Sequence, residues 1–248
     1  MQQSAIPGTS KPDSAGYLVL AAASRKELRY ALPAEDLSRL RVGEPVLLPG
    51  SLALLVLVTG LGPINAALAM GRLLGQGISI RGVLNLGLAG SFDLDSIGLG
   101  QPALVSTEIC PEFGLRYQDH VDHQGLGWGQ GRLGSRVIRE RLELEPASQA
   151  AGMGLRLPRH WPLACSLTVL GVTACRDLAR KLQRAHQAEL ENMEGFALAW
   201  ACLQSGVPFV QARAVSNLVG SRQKQYWDMQ SSLRALPSML QAMLPEQS

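Results

Sequence analysis

In open α/β sheets ligands bind beyond the carboxyl ends of the strands, so the residues that do chemistry belong just after each apolar run. Four such places stand out: Gly60-Leu61-Gly62-Pro63, Asn85 to Phe92 (NLGLAGSF), Asn192-Met193-Glu194-Gly195 and Arg213-Ala214-Val215-Ser216-Asn217. The first resembles the opening of a dinucleotide fingerprint. However, Asn65 replaces its third glycine, and no acidic residue stands about 20 positions on to hold a ribose hydroxyl. Nicotinamide chemistry is therefore weakly supported, and the absence of GxxxxGK(S/T) argues against a P-loop hydrolase. NLGLAGSF reads as a turn of small residues after a strand, where backbone can approach a ligand closely. Asp119, His120, Asp122 and His123 collect possible metal ligands in QDHVDHQG, but glycine-rich polar loops have the same composition and no metal is expected.

The elements that must position these segments alternate along the chain. YLVLAAAS (17–24) reads as a strand buried on both faces, followed by the amphipathic helix RKELRYAL. Leu52 to Thr59 is a second strand, leading through GLGP into a helix over 64–74 with Pro63 in its first turn. A strand over 101–109 precedes a glycine-rich loop from Glu112 to Gly134, of the kind that carries or borders function. The pattern then predicts a helix over 135–144, an irregular segment with Pro158 and Pro162, and a strand over 163–173. Helices over 176–191 and 195–204, the strand PFVQARAVS and a last helix over 229–244 complete the chain. Read from the residues alone, this is a single α/β domain over 16–248 with a mostly parallel sheet, preceded by a flexible polar tail, 1–15.

Composition bounds the function. Of 248 residues 46% are hydrophobic and 17% charged, and the formal charge is only +3, with the basic residues scattered. No nucleic-acid partner is implied. Arg132, Arg136, Arg139 and Arg141, interleaved with Glu140, Glu143 and Glu145, read as a solvated helix with i,i+4 ion pairs. No apolar run approaches the roughly 20 residues of a membrane span, and Met1 to Ser14 lacks the apolar middle of a signal peptide. A cytosolic protein is expected, with Cys110, Cys165, Cys175 and Cys202 as buried reduced thiols.

Together with Glu27, the four segments resemble the purine nucleoside phosphorylase and nucleosidase superfamily, and within it look most like the futalosine hydrolases. The resemblance runs in order from Tyr17 to Leu244, and its most specific part is NMEG followed about twenty residues later by RAVSN. It implies an α/β/α sandwich around a mixed, partly closed sheet, a small-molecule nucleoside substrate, no cofactor and a homo-oligomer. The activity implied is hydrolysis of the N-glycosidic bond of futalosine, releasing hypoxanthine and dehypoxanthine futalosine, in menaquinone biosynthesis. The resemblance leaves a 6-oxopurine nucleoside phosphorylase, a methylthioadenosine/S-adenosylhomocysteine-type nucleosidase and a non-catalytic nucleoside-binding protein as alternatives.

Such cleavage builds positive charge on the sugar and negative charge on the base. By resemblance, Glu194 accepts from the 2′ and 3′ hydroxyls of the ribose, Met193 packs beneath it, and Glu27 activates the attacking water. Gly87, Leu88, Ala89 and Gly90 lie against ribose and water, with Leu88 where adenine nucleosidases typically carry serine. Val172 and Thr173 belong to the wall on which the base stacks, Arg213 and Ser216 contribute to substrate binding, and Asn217 donates to the departing base where adenine nucleosidases carry aspartate. Asn85 stands where bacterial phosphorylases of this superfamily hold phosphate with an arginine, which makes water the expected nucleophile. Arg116 and Arg222 are candidates for a carboxylate on the 5′ substituent.

Overall fold

The computed structural model describes residues 16–50 and 52–245, so the expected tail over 1–15 lies outside the described residues. The continuous apolar runs form one nine-stranded sheet. Its strands are β1 (Tyr17–Ala22), β2 (Val46–Leu47), β3 (Leu54–Val58), β4 (Ile80–Ser91), β5 (Pro102–Ile109), β10 (Arg141–Glu143), β11 (Leu163–Thr168), β12 (Leu190–Asn192) and β13 (Phe209–Leu218). Two small hairpins, β6 (Leu115–Arg116) with β7 (Val121–Asp122) and β8 (Gly131–Leu133) with β9 (Arg136–Ile138), occupy the glycine-rich stretch. The helices are α1 (Arg25–Ala31), α2 (Pro63–Leu74), α3 (Pro146–Met153), α4 (Arg176–His186), α5 (Gly195–Gln204) and α6 (Met229–Met243).

Strand alternation divides the core into two layers. Leu18, Leu20, Val56, Leu84 and Leu86 face Leu233, Leu236 and Leu240 of α6, with α1 and α3 on the same side. Val19, Leu55, Leu57 and Val83 face Met70 and Leu73 of α2 and Phe196 and Leu198 of α5. The result is an α/β/α sandwich. Its sheet is mixed, because β12 runs antiparallel to β4, β13 to β5, β10 to β5 and β2 to β3, against five parallel pairings. The mostly parallel reading is corrected in that respect. β4, β13, β5, β11 and β12 pair in a closed circuit, so the sheet curls into a barrel at the end that carries the candidate residues.

Several local expectations give way to this closure. Asn85 to Ser91 is the second half of the long β4 rather than a turn, and neither Gly87 nor Gly90 has a positive φ. The expected helix over 135–144 is instead β9 and β10: Leu142 is buried between exposed Arg141 and Glu143, which pair at 2.6 Å across i,i+2 on one strand face. Period two under tertiary contact with β5 overrides helical propensity there. Helix α3 forms in the segment read as irregular. The strand expected to reach 173 ends at Thr168, and the helix expected to reach 191 ends at His186, capped by Gln187 in the left-handed region (φ 51°). Cys175 is exposed, against the expectation of four buried thiols; only Cys202 is fully buried. Among the described residues no helix is long and apolar enough to cross a membrane.

Candidate active site

Glu27 reaches the site because Ser24, two residues beyond the carboxyl end of β1, caps the start of α1. The Ser24 hydroxyl accepts from Glu27 N (3.2 Å), and Glu27 Oε2 accepts from Ser24 N (2.8 Å) and Ser24 Oγ (2.7 Å), a reciprocal capping box. The structural role of a first-turn glutamate is therefore real, but it uses one oxygen. The other, Oε1, accepts from Leu88 N (3.2 Å) on β4, so Leu88 contributes its backbone where a serine hydroxyl is absent. Position 87 is crowded from above: a Cβ there would lie 2.8 Å from Glu27 Oε1 and 2.5 Å from Arg213 Nη1, so either side chain would have to shift. The missing side chain leaves room for both the Glu27 carboxylate and the Arg213 guanidinium over β4.

Glu194 stands at the junction of β12 and α5, buried, with Oε1 accepting from Gly62 N (2.9 Å). The GLGP segment thus has a function that the dinucleotide comparison missed. Gly62, at φ 86°, turns its N–H toward the Glu194 carboxylate while Pro63 opens α2. Burial raises the pKa of Glu194, with the charge of Glu27 adding to the rise and Arg213 and the Gly62 N–H opposing it. Asn192 fixes the backbone here, its Oδ1 accepting from Glu194 N (2.9 Å) and Gly195 N (2.6 Å).

Beneath these groups lies a polar cluster that the sequence reading did not single out. Glu108 of β5 is fully buried, and accepts from Asn192 Nδ2 (2.7 Å), Gln211 Nε2 (2.6 Å) and Thr168 Oγ1 (2.7 Å). Desolvation pushes its carboxyl up to about 7 against these donors and Arg213. Asn85 Nδ2 donates to Gln211 Oε1 (2.9 Å), so Asn85 belongs to this buried cluster. A glutamate and a glutamine inside the strand-like segments VSTEI and FVQAR were the available signal. Arg213 is 1% exposed, donates to Asn192 Oδ1 at 3.4 Å, and leaves Nε without a partner among the described residues.

The third wall comes from the end of β13. A bulge between Val215 and Asn217 brings Asn217 opposite Gly90, where a Cβ would lie 2.9 Å from Asn217 Nδ2. Ser216 Oγ donates to Asn217 Oδ1 (2.8 Å) and lies 3.2 Å from Ala89 O, which turns the amide nitrogen away from the serine. Met193 packs with Phe92, Leu167, Val169 and Val219. Val172 is 51% exposed, whereas Thr173 is held by Glu191, whose oxygens accept from Thr173 N (2.9 Å) and Thr173 Oγ1 (2.6 Å).

A cavity of about 610 Å³ adjoins this wall, lined by Thr173, Arg116, Tyr117, His120, His123 and His186 among others. It shares Thr173 with the candidate site but none of Glu27, Glu194, Arg213 or Asn217. Arg116 lines that cavity, whereas Arg222 stacks over the Trp227 ring at 4.8 Å, so the two arginines serve different surroundings. Among the described residues no group of three or more His, Cys, Asp or Glu side chains could hold a metal ion.

The phosphorylase superfamily model matches residues 42–244, and the chain belongs to that superfamily. Within it, the chain is 34% identical to futalosine hydrolase of Thermus thermophilus over 77% of this chain and 81% of the relative. It is 30% identical to 5′-methylthioadenosine/S-adenosylhomocysteine nucleosidase of Colwellia psychrerythraea, over 66% of this chain and 67% of that one. The crystal structure of 5′-methylthioadenosine/S-adenosylhomocysteine nucleosidase from Helicobacter pylori shares the fold, with TM-score 0.70, 18% identity, and coverage of 92% of this chain and 97% of that chain. With relatives of these two kinds, the chain is an enzyme, a hydrolase of N-glycosidic bonds.

Proposed function

We propose that the substrate is a 6-oxopurine nucleoside, futalosine, cleaved by water to hypoxanthine and dehypoxanthine futalosine. The observation that carries this reading is the approach of Glu27 Oε1 and Arg213 Nη1 to the same point over Gly87, together with a Glu194 anchored on Gly62. Glu27 Oε1 takes a proton from a water that Arg213 helps to hold, while Glu194 accepts from the ribose hydroxyls and stabilises the positive charge that grows on the sugar. Asn217 Nδ2 donates to the N7 and O6 edge of the departing base, a bond that strengthens as the base gains negative charge. On this reading the protein works in the cytoplasm, as a homo-oligomer, in menaquinone biosynthesis.

The test is purified protein incubated with futalosine, methylthioadenosine and inosine, each with and without phosphate, with free base measured by chromatography. Futalosine is expected to be cleaved fastest, at a rate that phosphate does not change. Preference for methylthioadenosine would move the reading to that nucleosidase class, and a strict need for phosphate would move it to a phosphorylase. Substrate binding without turnover would leave a nucleoside-binding protein.

Asn217 gives the sharper prediction. An ionised aspartate would set acceptor against acceptor on hypoxanthine, whereas a protonated one can donate to N7 and accept from the amino group of adenine. Asn217→Asp is therefore expected to lower kcat/KM on futalosine by about 10²-fold and to shift the ratio toward the 6-amino analogue. An unchanged ratio would show that Asn217 does not read the base.

A further inference from the structure

Glu108 of β5 is fully buried and has no part in the mechanism above. Its partners come from three other strands of the closed circuit: Thr168 on β11, Asn192 on β12 and Gln211 on β13. The direction of each bond is fixed by what else the same side chain holds. Asn192 Oδ1 accepts from Glu194 N (2.9 Å) and Gly195 N (2.6 Å), so its Nδ2 faces Glu108 Oε1. Thr168 Oγ1 accepts from Phe196 N (2.7 Å) and gives its own proton to Glu108 Oε2. Gln211 Oε1 accepts from Asn85 Nδ2, which leaves Gln211 Nε2 for Glu108. All three neighbours therefore donate, and the ionised carboxylate, an acceptor on both oxygens, is the state that satisfies them.

The N–H groups of Glu194, Gly195 and Phe196, at the start of α5, are thus held by two side chains that both rest on Glu108. These are donors that a helix start leaves without intrahelical partners, and the Glu194 carboxylate springs from the same turn. Gly195 belongs to the arrangement too, because a Cβ there would collide with Glu108 Oε1. A glutamine would fit the same space, yet the chain keeps a carboxylate there although desolvation pushes it up to about 7. We propose that Glu108 is a positioning residue for catalysis: through Asn192 and Thr168 it fixes the start of α5, and so holds the Glu194 carboxylate where the ribose hydroxyls meet it. With Gln at 108, an amide N–H faces Thr168 Oγ1. The Thr168 proton must then turn to Asn192 Oδ1 (3.5 Å), the atom that holds Glu194 N and Gly195 N. The start of α5 loosens while the apolar layers on either side of the sheet stay as they are.

This inference rests on the assignment of Glu194 to the ribose, and the experiment separates the two. The measurement is kcat/KM on futalosine and on its 2′-deoxy analogue for the unmodified protein, Glu108→Gln, Glu194→Gln and the double variant, with the melting temperature of each. Glu108→Gln is expected to lower kcat/KM on futalosine by about tenfold or more, since a misplacement of about 1 Å can cost 10²-fold. The loss should be smaller on the 2′-deoxy analogue. It should largely vanish in the Glu194→Gln background, because residues that act through one another are not additive. The same fold loss on both substrates and in both backgrounds would show that Glu108 only supports the barrel, and would overturn the proposal, as would an unchanged kcat/KM. A Glu194→Gln variant as active as the unmodified protein would remove the ribose assignment, and the proposal with it. Thr168→Val and Thr168→Ser probe the same tie with the buried charge left in place. Val should repeat the pattern of Glu108→Gln, and Ser, which keeps the hydroxyl, should restore the rate that Val loses. Full activity in Thr168→Val, or the same loss in both Thr168 variants, would overturn the proposal.

Discussion

Glu27→Gln is expected to lower kcat on futalosine by about 10³-fold, within the range that a general base supplies, while the protein stays folded. The variant separates the two roles of this side chain. Gln at the third helical position still accepts from Ser24 N, so the capping box survives and the helix start is retained. What it loses is the basicity of the oxygen facing Arg213 across Gly87. KM should change little, because the attacking water rather than the nucleoside depends on that oxygen. A near-normal kcat, measured with a melting temperature close to that of the unmodified protein, would show that Glu27 only caps α1.

Glu194→Gln is expected to lower kcat/KM by about 10²-fold, of the order of losing charge-assisted bonds worth about 1.5–3 kcal/mol each. The loss should shrink on a 2′-deoxy substrate, which cannot make one of those bonds in either protein. The variant also carries a pH signature. In the proposed role Glu194 must be ionised to accept from both hydroxyls, and its pKa is raised, mainly by burial. As pH falls through that raised value the carboxyl protonates and kcat/KM declines, so the acid limb should lie above the ordinary 4.5. Removal of the ionisable group should flatten that limb. An undiminished limb in Glu194→Gln would assign it to another carboxylate.

The strands that border this site were legible because their signals are local. The runs at Tyr17 and Leu54 are apolar on both faces, which only a buried sheet satisfies, and NMEG with RAVSN carries its own pattern. What escaped depends on contacts between distant segments. Gly62 and Glu194 are 132 residues apart, and Asn85 and Gln211 are 126 apart, so no window along the chain could show either bond. NLGLAGSF was misread for the same reason. Its glycines look like turn residues, yet they serve a strand whose neighbours, Glu27, Arg213 and Asn217, occupy the space that side chains would fill. Arg141 to Glu143 carries helix-favouring residues, and only pairing with β5 makes it a strand.

The central claim is that water, activated by Glu27, is the nucleophile that releases the base. Turnover of futalosine in ¹⁸O-labelled water, with phosphate present, followed by mass analysis of the sugar product, tests it most directly. The account predicts a free sugar that carries the heavy oxygen, formed at the same rate when phosphate is left out. A sugar 1-phosphate formed only when phosphate is supplied would contradict it.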